Sequence, residues 1–282
     1  VPKGRGAGAW KGVCPPLAEV IQMQRTKFIG SLIGAVGLTE FARIAPAAAI
    51  DEYAVGQEVF AQLRDDGDLL FDSPYYEHLN EVGAVISHTV TDRYPYPVQY
   101  HVVKGDSANA FSVPGGKIYV NEPLLRMAQN RDELAGVLAH ETGHMVLHHV
   151  AKRMKLDNTM NTIGTILSIP ASILLGPLGQ LPAGYVLNTL QSAQDSNVSR
   201  HIEAQADEEG ARILAATNDF NPYGMIWFFE SMTKTYGDKG AFWQRDHPFD
   251  SARIADLKTL FAENPSLFKK YDPTDKGTEI YW

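Results

Sequence analysis

The chain has 282 residues, of which 44% are hydrophobic and 21% charged, an ordinary globular balance and enough for one large domain or two small ones. A formal net charge of −8 gives no electrostatic reason to expect a nucleic-acid partner. The one cysteine, Cys14, excludes an intrachain disulfide framework and any cysteine-based zinc knuckle.

Residues 1–22 show no periodicity and read as a tail. From Met23 the text changes: Arg25 and Lys27 carry positive charge, residues 28–38 are apolar, and Ala47, Ala48 and Ala49 are small. That order is the order of a secretory leader, and it predicts export to an extracytoplasmic space such as the bacterial periplasm or the membrane face towards it. The alternative is an amphipathic helix that stays attached and lies on a membrane. The apolar run is too short for a comfortable span. Residues 1–49 are therefore set apart from a domain over 50–262, with 263–282 as a short, polar, peripheral tail.

Residues 50–64 predict a helix with Tyr53, Val55, Val59, Phe60 and Leu63 on its apolar side. Ser73 as N-cap and Pro74 at the first helical position predict a second, whose apolar side is Leu79, Val82, Val85 and Ile86. Strands follow at 98–103, 110–113 and 117–120, the last two flanking the turn Pro114-Gly115-Gly116. Asn121 caps a short helix, and Asn130 to Glu133 open a long one.

That long helix, read as continuous through Val150, carries His140-Glu141-Thr142-Gly143-His144. Residues four apart leave a helix on one face, so both imidazoles can converge on one ion. Glu141 projects on a neighbouring bearing, where it can reach a metal's water without being a ligand. Two histidines holding a metal and a glutamate taking the proton from its water is zincin chemistry. A polar set on an otherwise apolar helix is costly unless something satisfies it. His148 and His149 lie beyond the motif, where a continuous helix carries them away from the ion. His78, His88 and His101 show no partner pattern.

Residues 163–190 carry no acidic or basic side chain and are interrupted by Pro170, Pro177 and Pro182. They read either as a buried hairpin or as an apolar lid or membrane-facing loop. Charge returns at 199–210, again in helical text. Glu203 and Asp207 share a face, flanked by the small Ala204 and Ala206. Glu203 is the expected third ligand, with His201 as a weaker competitor, and Asp207 is placed to accept a hydrogen bond from a ligating histidine. Glu208 and Glu209 read as a solvated face. Later, His247 precedes Pro248 in an extended loop and Arg253 opens another helix. His247 can either occupy the metal or donate to an oxyanion; Arg253 can orient a carboxylate behind the ligands.

The ordered set Asn109-Ala110-Phe111, Pro114-Gly115-Gly116, 134–144, Glu203-Ala204-Gln205-Ala206-Asp207, His247-Pro248 and Arg253 resembles the M48 family of zinc metallopeptidases. The likeness covers roughly residues 50–262 and is nearest to the family's soluble exported bacterial branch and the catalytic domain of its mitochondrial inner-membrane proteases. It implies an α+β gluzincin-type domain, mainly helical, with a small sheet lining the cleft. It implies one Zn2+ per chain on His140, His144 and Glu203, with Glu141 as general base and His247 at the active site. The family's integral-membrane branch has several spans, which this sequence lacks. Protein or peptide substrates are expected to pair with the edge strand near Asn109, Ala110 and Phe111, with loose sequence specificity and possible peripheral membrane contact through 163–190. Two rival readings are a holdase or assembly factor that uses 163–190 and a metal-dependent amide hydrolase for small molecules. The intact Glu141 argues against a non-catalytic scaffold.

Overall fold

A computed structural model describes residues 51–156, 196–237, 247 and 251–282. The chain divides into two compact units, Val1–Ala48 and Ala49–Trp282, and all described residues belong to the second. The leader-like segment 23–49 and the apolar stretch 163–190 lie outside them. Among the described residues no helix is long and apolar enough to cross a membrane.

Helix α1 (Glu52–Asp65) begins where Asp51 Oδ1 accepts a hydrogen bond from the Ala54 amide at 3.0 Å, and its stripe Val55, Val59 and Leu63 is buried. Helix α2 (Tyr76–Thr89) buries Leu79, Val82 and Ile86 completely. Each such side chain contributes roughly 1.5–3 kcal/mol by leaving water. Ser73 Oγ accepts from the Tyr75 amide at 3.4 Å, as a cap would, but the helix proper starts only at Tyr76, later than the expected Pro74. Tyr75 precedes the helix without a side-chain cap bond, while Ser73 Oγ donates to Glu122 Oε1 at 3.0 Å and so ties this turn to the helix after the sheet.

Three strands, β1 (Gln99–Val103), β2 (Ala110–Val113) and β3 (Lys117–Asn121), form one sheet in the order β1-β3-β2. β1 runs parallel to β3 in the register Gln99↔Lys117, and β2 runs antiparallel to it with Ala110↔Val120. Gly115 and Gly116 close the β2–β3 hairpin at φ +88° and +91°, values that favour glycine. Alternation sends Tyr100, Val102, Ala110, Ile118 and Val120 into the main core, and Val103, Val113 and Tyr119 against the α1 stripe. Among the described residues β2 is an edge strand.

Asn121 caps α3 (Glu122–Leu125), and Asn130 caps α4 (Arg131–Val146) by accepting from the Glu133 amide at 2.8 Å. Residues 132–146 are all buried. α4 therefore runs through the core, with α6 (Ser196–Thr217) and α7 (Tyr223–Tyr236) packed on it. It stops at Val146, contrary to the expected helix through Val150. Leu147 is its C-cap, His148 takes φ +55°, and α5 (His149–Leu156) restarts the helix.

Helices α8 (Ser251–Glu263) and α9 (Pro265–Phe268) follow. Residues after 263 are not merely peripheral. Phe268 and Ile280 are buried, the Ile280 amide donates to Gln129 O at 3.0 Å, and Trp282 Nε1 donates to Ala128 O at 3.0 Å. The C-terminal residues thus brace the start of α4.

Candidate metal centre

Two glycines determine how closely α6 approaches α4. A methyl at Gly143 would stand 2.8 Å from Ala206 O, and one at Gly210 would stand 3.0 Å from the backbone of Ala139 and His140. Without side chains there, the two backbones touch, and Glu203 and Asp207 come to face His140. Thr142, between the motif histidines, is tied down separately. Its Oγ1 donates to Leu138 O at 2.6 Å and lies 2.9 Å from Tyr100 Oη, which links α4 to β1.

His140, His144, Glu203 and His247 each offer one donor atom, all buried and all within 4.8 Å of one another. His140 Nε2 is 3.1 Å from His144 Nε2, 3.4 Å from Glu203 Oε2 and 3.3 Å from His247 Nδ1. Glu203 lies 3.5 Å from His144 Nε2 through Oε1 and 3.1 Å from His247 Nδ1 through Oε2. Donors about 2.0–2.1 Å from a tetrahedral zinc stand ~3.3–3.4 Å apart, so these separations fit one ion. The donor set fits as well: imidazoles and one carboxylate, packed together out of water, call for a cation between them. His201 is exposed and outside the cluster, which removes it as a competing ligand.

Behind the donors, Asp207 Oδ1 is 2.9 Å from His140 Nδ1. Arg253 grips Asp207 from the far side and reaches Glu203 Oε2 through Nη1 at 3.2 Å. Burial pushes the Glu203 carboxyl up, but His247, His144 and Arg253 outweigh it and hold it well below the usual carboxylate range. Burial likewise pushes Asp207 up, and Arg253 reverses the direction. For His140, burial works against the charged ring, yet Asp207 and Glu203 together raise its pKa. For His144 burial prevails and the pKa falls.

Glu141 is fully buried beside the donor cluster, with Oε1 3.4 Å from His247 Nε2. His247 thus touches the cluster with one ring nitrogen and Glu141 with the other. Glu208 is the exposed partner of Arg212, as a solvated face requires, whereas Glu209 is drawn to Arg93 and is mostly covered.

Two histidines escaped the sequence reading because it assumed an unbroken helix. His148 Nδ1 lies 2.8 Å from Glu52 Oε1, and His149 Nδ1 lies 3.0 Å from His144 Nδ1. Burial, then the charge of His144, pushes the His149 ring down to about 4, so it is neutral near pH 7. The break needs a left-handed residue, but Leu147-His148-His149 contains neither the glycine nor the asparagine that would have flagged it.

The edge strand meets the site near its C-terminal end: Ser112, Val113 and Pro114 line a small hollow together with His144, Met145 and His148. Asn109 has committed its backbone inward, its amide to Asn121 Oδ1 at 2.9 Å and its carbonyl to the Asn121 amide at 3.0 Å. By antiparallel alternation Phe111 also turns its backbone groups to β3, and Ala110 and Ser112 direct theirs away from it.

Residues 77–260 match the sequence profile of Peptidase family M48. The chain belongs to that family. Among its M48 relatives, the Beta-barrel assembly-enhancing protease of Yersinia pestis is 28% identical over 218 residues, covering 73% of this chain and 43% of the relative. The Mitochondrial metalloendopeptidase OMA1 of Schizosaccharomyces pombe is 30% identical over 168 residues, covering 58% and 47%. Metalloprotease LoiP of Escherichia coli K12 is 26% identical over 187 residues, covering 66% and 71%. The chain spans less than half the length of the first two.

Proposed function

We propose that this M48 chain is a zinc-dependent endopeptidase that cleaves unfolded or misassembled proteins outside the cytoplasm. The observation that carries the reading is the buried tetrahedral spacing of His140, His144 and Glu203 with Glu141 beside them. These three residues hold the ion. Bound there, zinc supplies Lewis acidity towards a carbonyl and makes water acidic near neutral pH.

The remaining chemistry belongs to the chain. Glu141 accepts a proton from the water that attacks the peptide carbonyl and returns it to the departing amine, so the bond breaks without a free amide anion. Asp207 holds His140 by its outer nitrogen, and Arg253 holds Asp207. His247 fills the fourth donor position at rest and must withdraw before a substrate carbonyl can enter. An extended substrate pairs with the outward backbone groups of Ala110 and Ser112, which are indifferent to side-chain identity. Loose specificity suits unfolded chains. The leader-like text at 23–49 supports the extracytoplasmic place of action, and relatives named for β-barrel assembly support protein substrates.

The test is cleavage of a reduced, unfolded protein by the zinc-loaded chain and by its Glu141→Gln variant. Fragments from the first and none from the second are expected. Equal cleavage by both, or none by either with zinc bound, overturns the reading.

A further inference from the structure

His148 sits at φ +55°, a left-handed conformation uncommon for a residue with a side chain, and the chain turns there before α5 begins. An unbroken helix would carry residue 149 about 140° around the axis from His144. The turn instead brings the His149 ring edge-on to His144, with centroids 5.0 Å apart and the two Nδ1 atoms 3.0 Å apart. His149 is buried.

The direction of the His144–His149 bond is fixed by what His144 must do. Its Nε2 faces His140 and Glu203. For Nε2 to offer a lone pair to an ion, the ring proton must be on Nδ1. That N–H points at His149 Nδ1, its hydrogen-bond partner among the described residues. His149 must then accept at Nδ1 and keep its own proton on Nε2.

We infer that His149 is a positioning residue that fixes the tautomer and ring orientation of His144 for metal binding, through a two-ring relay from His144 Nδ1–H to His149 Nδ1. The inference rests on reading His140, His144 and Glu203 as the zinc ligands. The two motif histidines are then held by different chemistries. His140 has a charged carboxylate behind it, backed by Arg253; His144 has an imidazole that accepts at Nδ1 and is neutral in that role. The neutral acceptor orients the ring without adding a second negative charge behind the ligands.

The test compares zinc dissociation constants, by chelator competition, for the full chain and for His149→Phe, His149→Asn and His144→Ala, with thermal melting of each metal-free form. His149→Phe keeps the ring's bulk and removes the acceptor; it is expected to weaken zinc binding by roughly 10–100-fold. His149→Asn places an oxygen near the position of Nδ1 and is expected to stay within about threefold of the parent, a rescue that a purely packing role would not give. Parental affinity in His149→Phe, with His144→Ala defective, overturns the relay alone. Parental affinity in His144→Ala overturns the ligand assignment and the relay with it. If His149→Phe fails to fold, nitrogen-15 NMR of the zinc-loaded parent decides. A His144 Nδ1–H coupled across the hydrogen bond to His149 Nδ1 supports the relay, and a proton resident on His149 Nδ1 overturns it.

Discussion

Arg253 closes on Asp207 with two parallel hydrogen bonds, Nε to Oδ2 and Nη2 to Oδ1, both 2.7 Å long and both out of water. Through Asp207 the grip extends to His140, and through Nη1 to Glu203, so one side chain of α8 steadies two of the three proposed ligands. A bidentate planar fork does this and an ammonium does not. Arg253→Lys is therefore expected to lower zinc affinity roughly 10–100-fold, the usual cost of losing support behind a ligand. Arg253→Ala leaves Asp207 buried without its main partner and is expected to cost ~3–5 kcal/mol of stability. Chelator competition and denaturant unfolding check the two effects separately. A lysine variant with parental affinity would assign Arg253 to packing.

Glu141→Gln is expected to keep the metal and lose roughly 10²–10⁴ in turnover, because an amide cannot take the proton from water. Zinc content per chain and the rate of unfolded-protein cleavage are the two readouts. Near-parental turnover in a fully loaded variant would remove Glu141 as the base.

His247 stands within donor distance of His140 and Glu203 and also touches Glu141. A group that occupies the fourth position at rest competes with water and substrate. Its removal in His247→Ala is expected to raise basal cleavage with zinc retained. A drop of roughly 10²–10³ in kcat would instead give His247 the role of an oxyanion donor.

Much of this site is legible in the sequence because a helix converts spacing into direction. His140 with His144 and Glu203 with Asp207 are two four-residue intervals on two helices, and each points one way. Alternating apolar text and Pro114-Gly115-Gly116 locate the strands, though not the order β1-β3-β2, since the parallel β1–β3 pairing depends on long-range packing. The helix break at His148 leaves no local signal. It is fixed by a tertiary contact, the bond to Glu52 at the start of α1. The core role of Phe268 and Ile280 is likewise masked by the polar residues around them.

Asp132, in the first turn of α4, gives a pH signature remote from the metal. Burial, and to a lesser degree Asp275, raise its pKa from 3.8 to about 6 against the hydrogen bond from the Asn221 amide. The folded state therefore binds the proton more readily than the unfolded one between about pH 4 and 6. The contribution of Asp132 to stability is greatest below that window, falls as pH rises through it and is level above it. Asp132→Asn keeps an acceptor for Asn221 and removes the charge. It is expected to gain ~1 kcal/mol at pH 7 relative to the parent, after allowing for solvent screening, and to gain nothing at pH 4. Urea unfolding at pH 4, 5, 6 and 7 checks this, and an unchanged slope would place the Asp132 carboxyl in water.

The central claim is that one zinc ion sits between α4 and α6. An anomalous difference map at the zinc absorption edge, from crystals of the zinc-loaded chain, tests it directly. A single peak is expected, about 2.0–2.2 Å from His140 Nε2, His144 Nε2 and one Glu203 carboxylate oxygen. A peak held by another set of residues, or no peak there in a protein that contains stoichiometric zinc, would contradict it.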